Sequence, residues 1–219
     1  METRASFHQA MDALKQEILA MGVRVEEALR RAVSSLVNQD VVAAREVVAD
    51  DEKINALETQ IEDRCIALIA TEQPVAMDLR RIVTGMKIVT QLERMGDHAR
   101  HIAKATVRLA GDSYMKPLID IPRMGELCAA MVRDVLSAFV QNDSERARSV
   151  ARVDTEVDAL HKQVVREVLT FMMGQPHNVS QGLELIFVSR FIERTADHVT
   201  NIAEWIVYCE TGKHTELNE

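Results

Sequence analysis

The sequence predicts an all-α protein, a tandem repeat of two antiparallel three-helix bundles built from six long helices. Two observations carry that expectation. The 219 residues include only eight Gly and four Pro, with Ala, Leu, Val, Glu and Arg abundant, so helix breakers are too sparse to interrupt long helices often. The chain also repeats itself: ERMGDHARHIA, Glu93 to Ala103, returns as ERTADHVTNIA, Glu193 to Ala203, with six of eleven positions identical. The repeat extends upstream. DEKINAL from Asp51 matches DTEVDAL from Asp154, while Met21-Gly22 and Asp40 match Met124-Gly125 and Asp143 at the same offset of 103. The later motif is offset by 100, so three residues are lost in between, as one interhelical turn can absorb.

Turn signals then place each element. The first helix runs from about Ser6 to Val37 and ends at Asn38-Gln39-Asp40; the second runs from about Val41 to Ile69 and stops before Gln73-Pro74. A third spans about Ala76 to Leu109. Gly111 to Pro122, carrying Gly111, Pro117 and Pro122, reads as the linker between a first bundle (1–110) and a second (123–219). Helices follow over about Arg123–Val140, Ser144–Met173 and Ser180–Thr211, the last two separated by Gly174-Gln175-Pro176.

Composition excludes several classes of function. A net charge of −8 opposes general attraction to phosphate backbones, and Arg30-Arg31 and Arg80-Arg81 are the densest basic points, so nucleic-acid binding is not expected. No apolar run reaches the length of a membrane span, and METRASFHQAMDALKQE is amphipathic rather than signal-like, which predicts a cytoplasmic protein. Cys65, Cys128 and Cys209 are odd in number and far apart, and read as packing residues. Met172-Met173 and Ile186-Phe187 add apolar surface beyond one stripe, consistent with core packing or with a homodimer.

The repeated motif places Glu93 with Asp97, and Glu193 with Asp197, one turn apart on a helix face. Like charges so spaced repel, so a cation is expected beside each pair: a metal ion, or the arginines Arg94, Arg100, Arg190 and Arg194. With the turns centred near Glu72 and Gly174, antiparallel helices bring Asp51 level with Glu93, and Asp154 level with Glu193. Candidate clusters are Asp51, Asn55, Glu93 and Asp97 in the first half and Asp154, Asp158, Glu193 and Asp197 in the second. Both acidic pairs lie off the apolar stripe of their helix (Leu185, Val188, Ile192 and Val199 in the last), which predicts surface or groove sites. Oxygen-rich clusters suit hard or borderline divalent metals and iron. His98 and His198 point away from the neighbouring Asp, compatible with a ligand, a donor behind a ligand, or a cap on another helix. Di-iron enzymes of helical bundles place His three residues after Glu; here Gly96 and Ala196 stand there, which weighs against a carboxylate-bridged metalloenzyme. No glycine-rich phosphate loop or nucleophilic triad is present. A helical scaffold whose acids bind nothing is the remaining reading.

ILAMG at Ile18, DLRRIVTGMKIVTQLERMGDHARHIAK at Asp78 and FIERTADHVTNIAEWIVY at Phe191 resemble the PhoU family over nearly the whole chain. The resemblance implies a fold of two similar three-helix bundles and a regulator that is not an enzyme. It further implies metal clusters held by Glu93, Asp97, Glu193 and Asp197, with Asp51, Asp154 and Asp158 in support; the ions could be Fe, Zn, Mn, Ni or Mg. Asn55 departs from the pattern, since an acid is expected there by comparison with Asp158. The implied partners are a phosphate ABC transporter ATPase, which the family restrains, and a sensor histidine kinase, which it helps hold off when phosphate is plentiful.

Overall fold

The computed structural model describes residues 2–217, and its regular structure is all helical, with no strand among them. The elements are α1 (Glu2–Asn38), α2 (Val41–Glu72), α3 (Met77–Arg108), α4 (Asp120–Gln141), α5 (Ser144–Ala151), α6 (Asp154–Gly174), a short 3-10 turn (Pro176–Asn178) and α7 (Val179–Thr211). None of these helices is long and apolar enough to cross a membrane.

The duplication is visible in the turns. α1 ends on Gln39, and α4 on Asn142, each with φ 52°. The next residue closes the same pattern in both halves: Asp40 N–H donates to Ser35 O, and Asp143 N–H donates to Ala138 O, both at 2.9 Å. The two aspartates then cap the following helix, accepting from Ala43 N at 3.0 Å and Arg146 N at 2.9 Å. The segment expected as a single helix over Ser144–Met173 is in fact two. At Arg152-Val153 the backbone tightens to i→i+3 bonds, Val153 N–H to Val150 O and Glu156 N–H to Val153 O, which separates α5 from α6. α4 also begins earlier than expected, at Asp120, because Pro122 is compatible with the first turn of a helix.

The two halves share one continuous core. α3 lies along α7 and α1 along α4, so buried Ile18, Met21, Leu92, Met95, Met124 and Met131 belong to a single apolar interior. This junction is reciprocal. Gly22 on α1 lies under Leu136 on α4, and Gly125 on α4 lies under Val33 on α1; each pair maps onto the other by the offset of 103, as a two-fold axis requires. His98 and His198 face one another across the same axis, ring centroids 5.2 Å apart. The 109–119 connection is tied to both halves: Tyr114 donates to Leu36 O, Gln39 Nε2 donates to Asp112 O at 2.6 Å, and Gln181 holds Ser113 O and Met115 N.

Candidate metal centres between paired helices

Each half holds a seam of carboxylates where two antiparallel helices meet. In the first seam, α2 supplies Asp51 and α3 supplies Glu93 and Asp97. Arg100 joins them: its Nη2 donates to Asp97 Oδ1 at 2.6 Å, and its Nε stands 3.1 Å from Asp51 Oδ2 without the alignment of a hydrogen bond. Asp51 is therefore level with Asp97, not Glu93. The turn between α2 and α3 spans Gln73 to Ala76, later than Glu72, which slides α3 along α2. Glu93 is half-buried, with Arg94 Nε 3.7 Å away. Asn55 is exposed on the outer face of α2.

In the second seam, Asp154 starts α6 and Asp158 follows one turn on, opposite Glu193 and Asp197 on α7. Arg190 donates to Glu193 Oε1, and Lys162 stands 3.5 Å from Asp158. Asp51, Asp154 and Glu193 are only 5%, 5% and 8% exposed, so of the expected surface or groove sites the open surface is excluded for them, and they lie in the groove between paired helices. The apolar stripe is wide enough for its edge residues to be covered by the neighbouring helix. His98 and His198 take part in neither seam: they sit on the junction axis beside Phe191, Thr195 and Gln91.

Burial and crowding set the electrostatics. Asp51 is raised above the usual carboxylate range by burial, against the pull of Arg100, and Glu93 by burial and then by Asp97. Glu193 is pushed up to about 7 by burial and the charge of Asp197, and Asp197 is raised by burial and Asp158. Two buried oxygens, Asp51 Oδ1 and Glu193 Oε2, accept no hydrogen bond. A buried acceptor so left is costly, and a cation relieves both the orphaned oxygen and the repulsion.

Two residues in these seams escaped the sequence reading. Glu58 lies one face-turn beyond Asp51 and Asn55 on α2, half-buried, its carboxyl pushed up to about 7 by burial and then by Glu93. Its counterpart at the 103 offset is His161 on α6, whose pKa is lowered by burial and by Arg190. Ser189 Oγ lies 2.9 Å from Ile186 O and 3.0 Å from His161 Nδ1. His161 Nε2 takes no part in that contact. The readable signal was the i, i+7 spacing from the paired Asp51 and Asp154. The counter-ions are also exchanged between halves: at the 100 offset Thr90 matches Arg190, and Arg100 matches Thr200.

The donors suit a divalent ion: carboxylate oxygens in the first seam, carboxylates and one imidazole in the second, with orphaned buried oxygens in both. Among the described residues, no three Asp, Glu, His or Cys side chains converge on one point in this conformation; the arginines hold the acids instead. The side chains of Arg100 and Arg190 are 29% and 52% exposed.

Fold and seams together define a class: duplicated helical proteins in which two similar helical halves pack about an internal two-fold axis and each carries an acidic seam. The family profile of the PhoU domain matches the chain twice, over residues 18–106 and 121–206, and the chain belongs to the PhoU family. It is 38% identical, over 99% of its length and 100% of the relative's, to the phosphate-specific transport system accessory protein PhoU homolog of Clostridium acetobutylicum. To that of Aquifex aeolicus it is 40% identical over 95% of this chain and 96% of the relative. The crystal structure of PhoU from Pseudomonas aeruginosa superposes with a TM-score of 0.90 at 35% identity, covering 94% of this chain and all of that one. The PhoU of Streptococcus pneumoniae, a phosphate transport system regulatory protein, superposes at 0.88 with 31% identity, over 95% and 99% of the two chains.

Proposed function

We propose that this protein is a cytoplasmic adaptor of phosphate homeostasis. It docks on the ATPase of a phosphate ABC transporter and restrains uptake, and it helps the associated sensor histidine kinase hold the starvation response off. The observation that carries this reading is the likeness along the entire chain to accessory proteins of the phosphate-specific transport system, in sequence and in structure. Regulation rather than catalysis follows the same likeness, and Gly96 and Ala196 stand where a di-iron enzyme would place histidines.

The seams are proposed to take divalent or iron ions. Glu93, Asp97, Asp51 and Glu58 would hold one in the first half, and Glu193, Asp197, Asp154, Asp158 and His161 one in the second. A bound ion would supply positive charge with open positions, suited to a phosphate or a partner carboxylate. The protein's own part is to present the acids level with one another and to withdraw Arg100 and Arg190. The His161 nitrogen biases the second seam toward borderline metals, while the all-oxygen first seam favours hard ones.

The test is co-precipitation of the transporter ATPase and the kinase with the wild-type protein and with Glu193→Ala/Asp197→Ala, alongside metal analysis of each. Retention of both partners by the wild type supports the adaptor reading. Loss of metal with partners retained would show that the two properties are separate, and failure to retain either partner would overturn the reading. Oxygen consumption by iron-loaded protein would overturn the non-enzymatic part.

A further inference from the structure

A cavity of about 510 Å³ opens where the two halves meet, between α1, α3, α4 and α7. Its inner wall is apolar: Leu14, Ile18 and Ile206 are buried, and Met11 and Phe139 are half-buried. That volume and lining match sites that enclose small organic molecules.

One charged group reaches the inner wall. Lys15, half-buried on α1, crosses the junction and donates to Val140 O at 3.0 Å, with its Nζ 5.7 Å from the centre of the Phe139 ring. An ammonium has three protons to give, and this bond uses one. Among the described residues no carboxylate comes within 4.0 Å of Nζ; Asp12 stays out on the exposed rim, and Asp78 is turned to Arg81 at 3.4 Å. Burial and then the cation Arg81 lower the Lys15 pKa, and the charges of Asp12 and Cys209 oppose them only in part. A half-buried ammonium with spare donors and a cationic neighbour thus has no anion in direct contact.

We propose that this cavity binds a small amphipathic monoanion. The acid group accepts from Lys15 and faces Arg81, and the apolar body lies on Met11, Phe139 and Ile206. Because the walls come from both halves, the occupant bridges them and favours their packed arrangement. The exposed acids Asp12 and Glu210 on the rim repel polyanions, which selects against nucleotides and other multiply charged ligands.

Cys209 provides the readout. It lines the cavity and is half-exposed, whereas Cys65 and Cys128 are buried with their thiols held protonated, Cys65 pushed up to about 11, so alkylation should be selective. The full chain is treated with iodoacetamide in the presence of octanoate, 1-octanol or inorganic phosphate, and labelling at Cys209 is followed by mass spectrometry. Octanoate is expected to protect Cys209 at concentrations at least tenfold below those needed with octanol, and inorganic phosphate, which has no apolar body, to leave labelling unchanged. Lys15→Met keeps the aliphatic stem and is expected to raise the protecting octanoate concentration at least tenfold; Arg81→Gln, at the exposed rim, should raise it about threefold. If Lys15→Met proves unfolded by circular dichroism, Lys15→Gln replaces it. Equal protection by octanol or by phosphate, or an unchanged octanoate response in a folded Lys15 variant, would overturn the assignment.

Discussion

Arg100 and Arg190 stand where an ion would relieve the carboxylates. Replacing Arg100 by Gln removes the one guanidinium that bridges Asp51 and Asp97, and the metal-free protein should lose about 1–2 kcal/mol. That is less than a fully buried pair would cost, because the Arg100 side chain is 29% exposed. Saturating Mn²⁺ should narrow the deficit, and Mn²⁺ affinity by titration calorimetry should rise, since the ion no longer competes with a guanidinium. A variant that binds Mn²⁺ no better than wild type would show that Arg100 is a plain structural partner. pH acts through two opposed sets of residues. His98 and His198, held down to about 3 and about 4 chiefly by burial, stay neutral in the fold, while the unfolded chain protonates near 6.5. Their contribution to stability is thus present above about pH 6.5 and is lost as pH falls toward about 4. Glu193 works in the other sense: pushed up from 4.5 to about 7, it costs stability as pH rises through that interval. Melting temperatures of metal-free protein between about pH 5 and 8 should therefore fall less steeply on acidification in His98→Gln, and should fall less with alkali in Glu193→Gln. An unaltered profile in both variants would assign the pH response elsewhere.

At the scale of the helix, the caps decide where the rods stop. Asp40→Ala and Asp143→Ala each remove the one side-chain acceptor that begins the following helix, and each should cost about 1 kcal/mol by chemical denaturation. A loss of only a few tenths would mean that water replaces the carboxylate. These turns were legible in the sequence because Asn38-Gln39-Asp40 and Gln141-Asn142-Asp143 carry local chemistry. The break at Arg152-Val153 was not, since neither Gly nor Pro marks it and the helical pattern runs through. The acidic pairs Glu93/Asp97 and Glu193/Asp197 were legible through repetition. Their partners were only partly so: Asp51 and Asp154 came through, but the register slipped because a turn's centre is set by its backbone geometry. Glu58 and His161 were hidden because an acid in one copy had become an imidazole in the other. Lys15, Phe139 and Cys209 share a cavity wall only because α1 packs on α4 and α3 on α7, and a single chain's periodicity says nothing of that docking.

At the scale of the whole molecule, the junction between halves rests on close approach at two glycines. A Cβ on Gly22 would stand 2.3 Å from Leu136 Cδ1, and one on Gly125 would stand 2.9 Å from Val33 Cγ2. Leu136 and Val33 are themselves buried, so neither can yield without disturbing the core. Gly22→Ala and Gly125→Ala should each lower stability by about 1–3 kcal/mol, although Ala is the better helix former by about 1 kcal/mol. Chemical denaturation measures this, and a gain in stability would show that α1 and α4 have room between them. The exchange of Thr90 and Arg100 for Arg190 and Thr200 has a wider consequence. Two separate copies of one subunit meeting about an axis must be identical, so both seams would carry the same counter-ion on the same side. Joining the copies in a single polypeptide lifts that restriction, and each seam is then free to be tuned to its own cation while the scaffold around it stays symmetric.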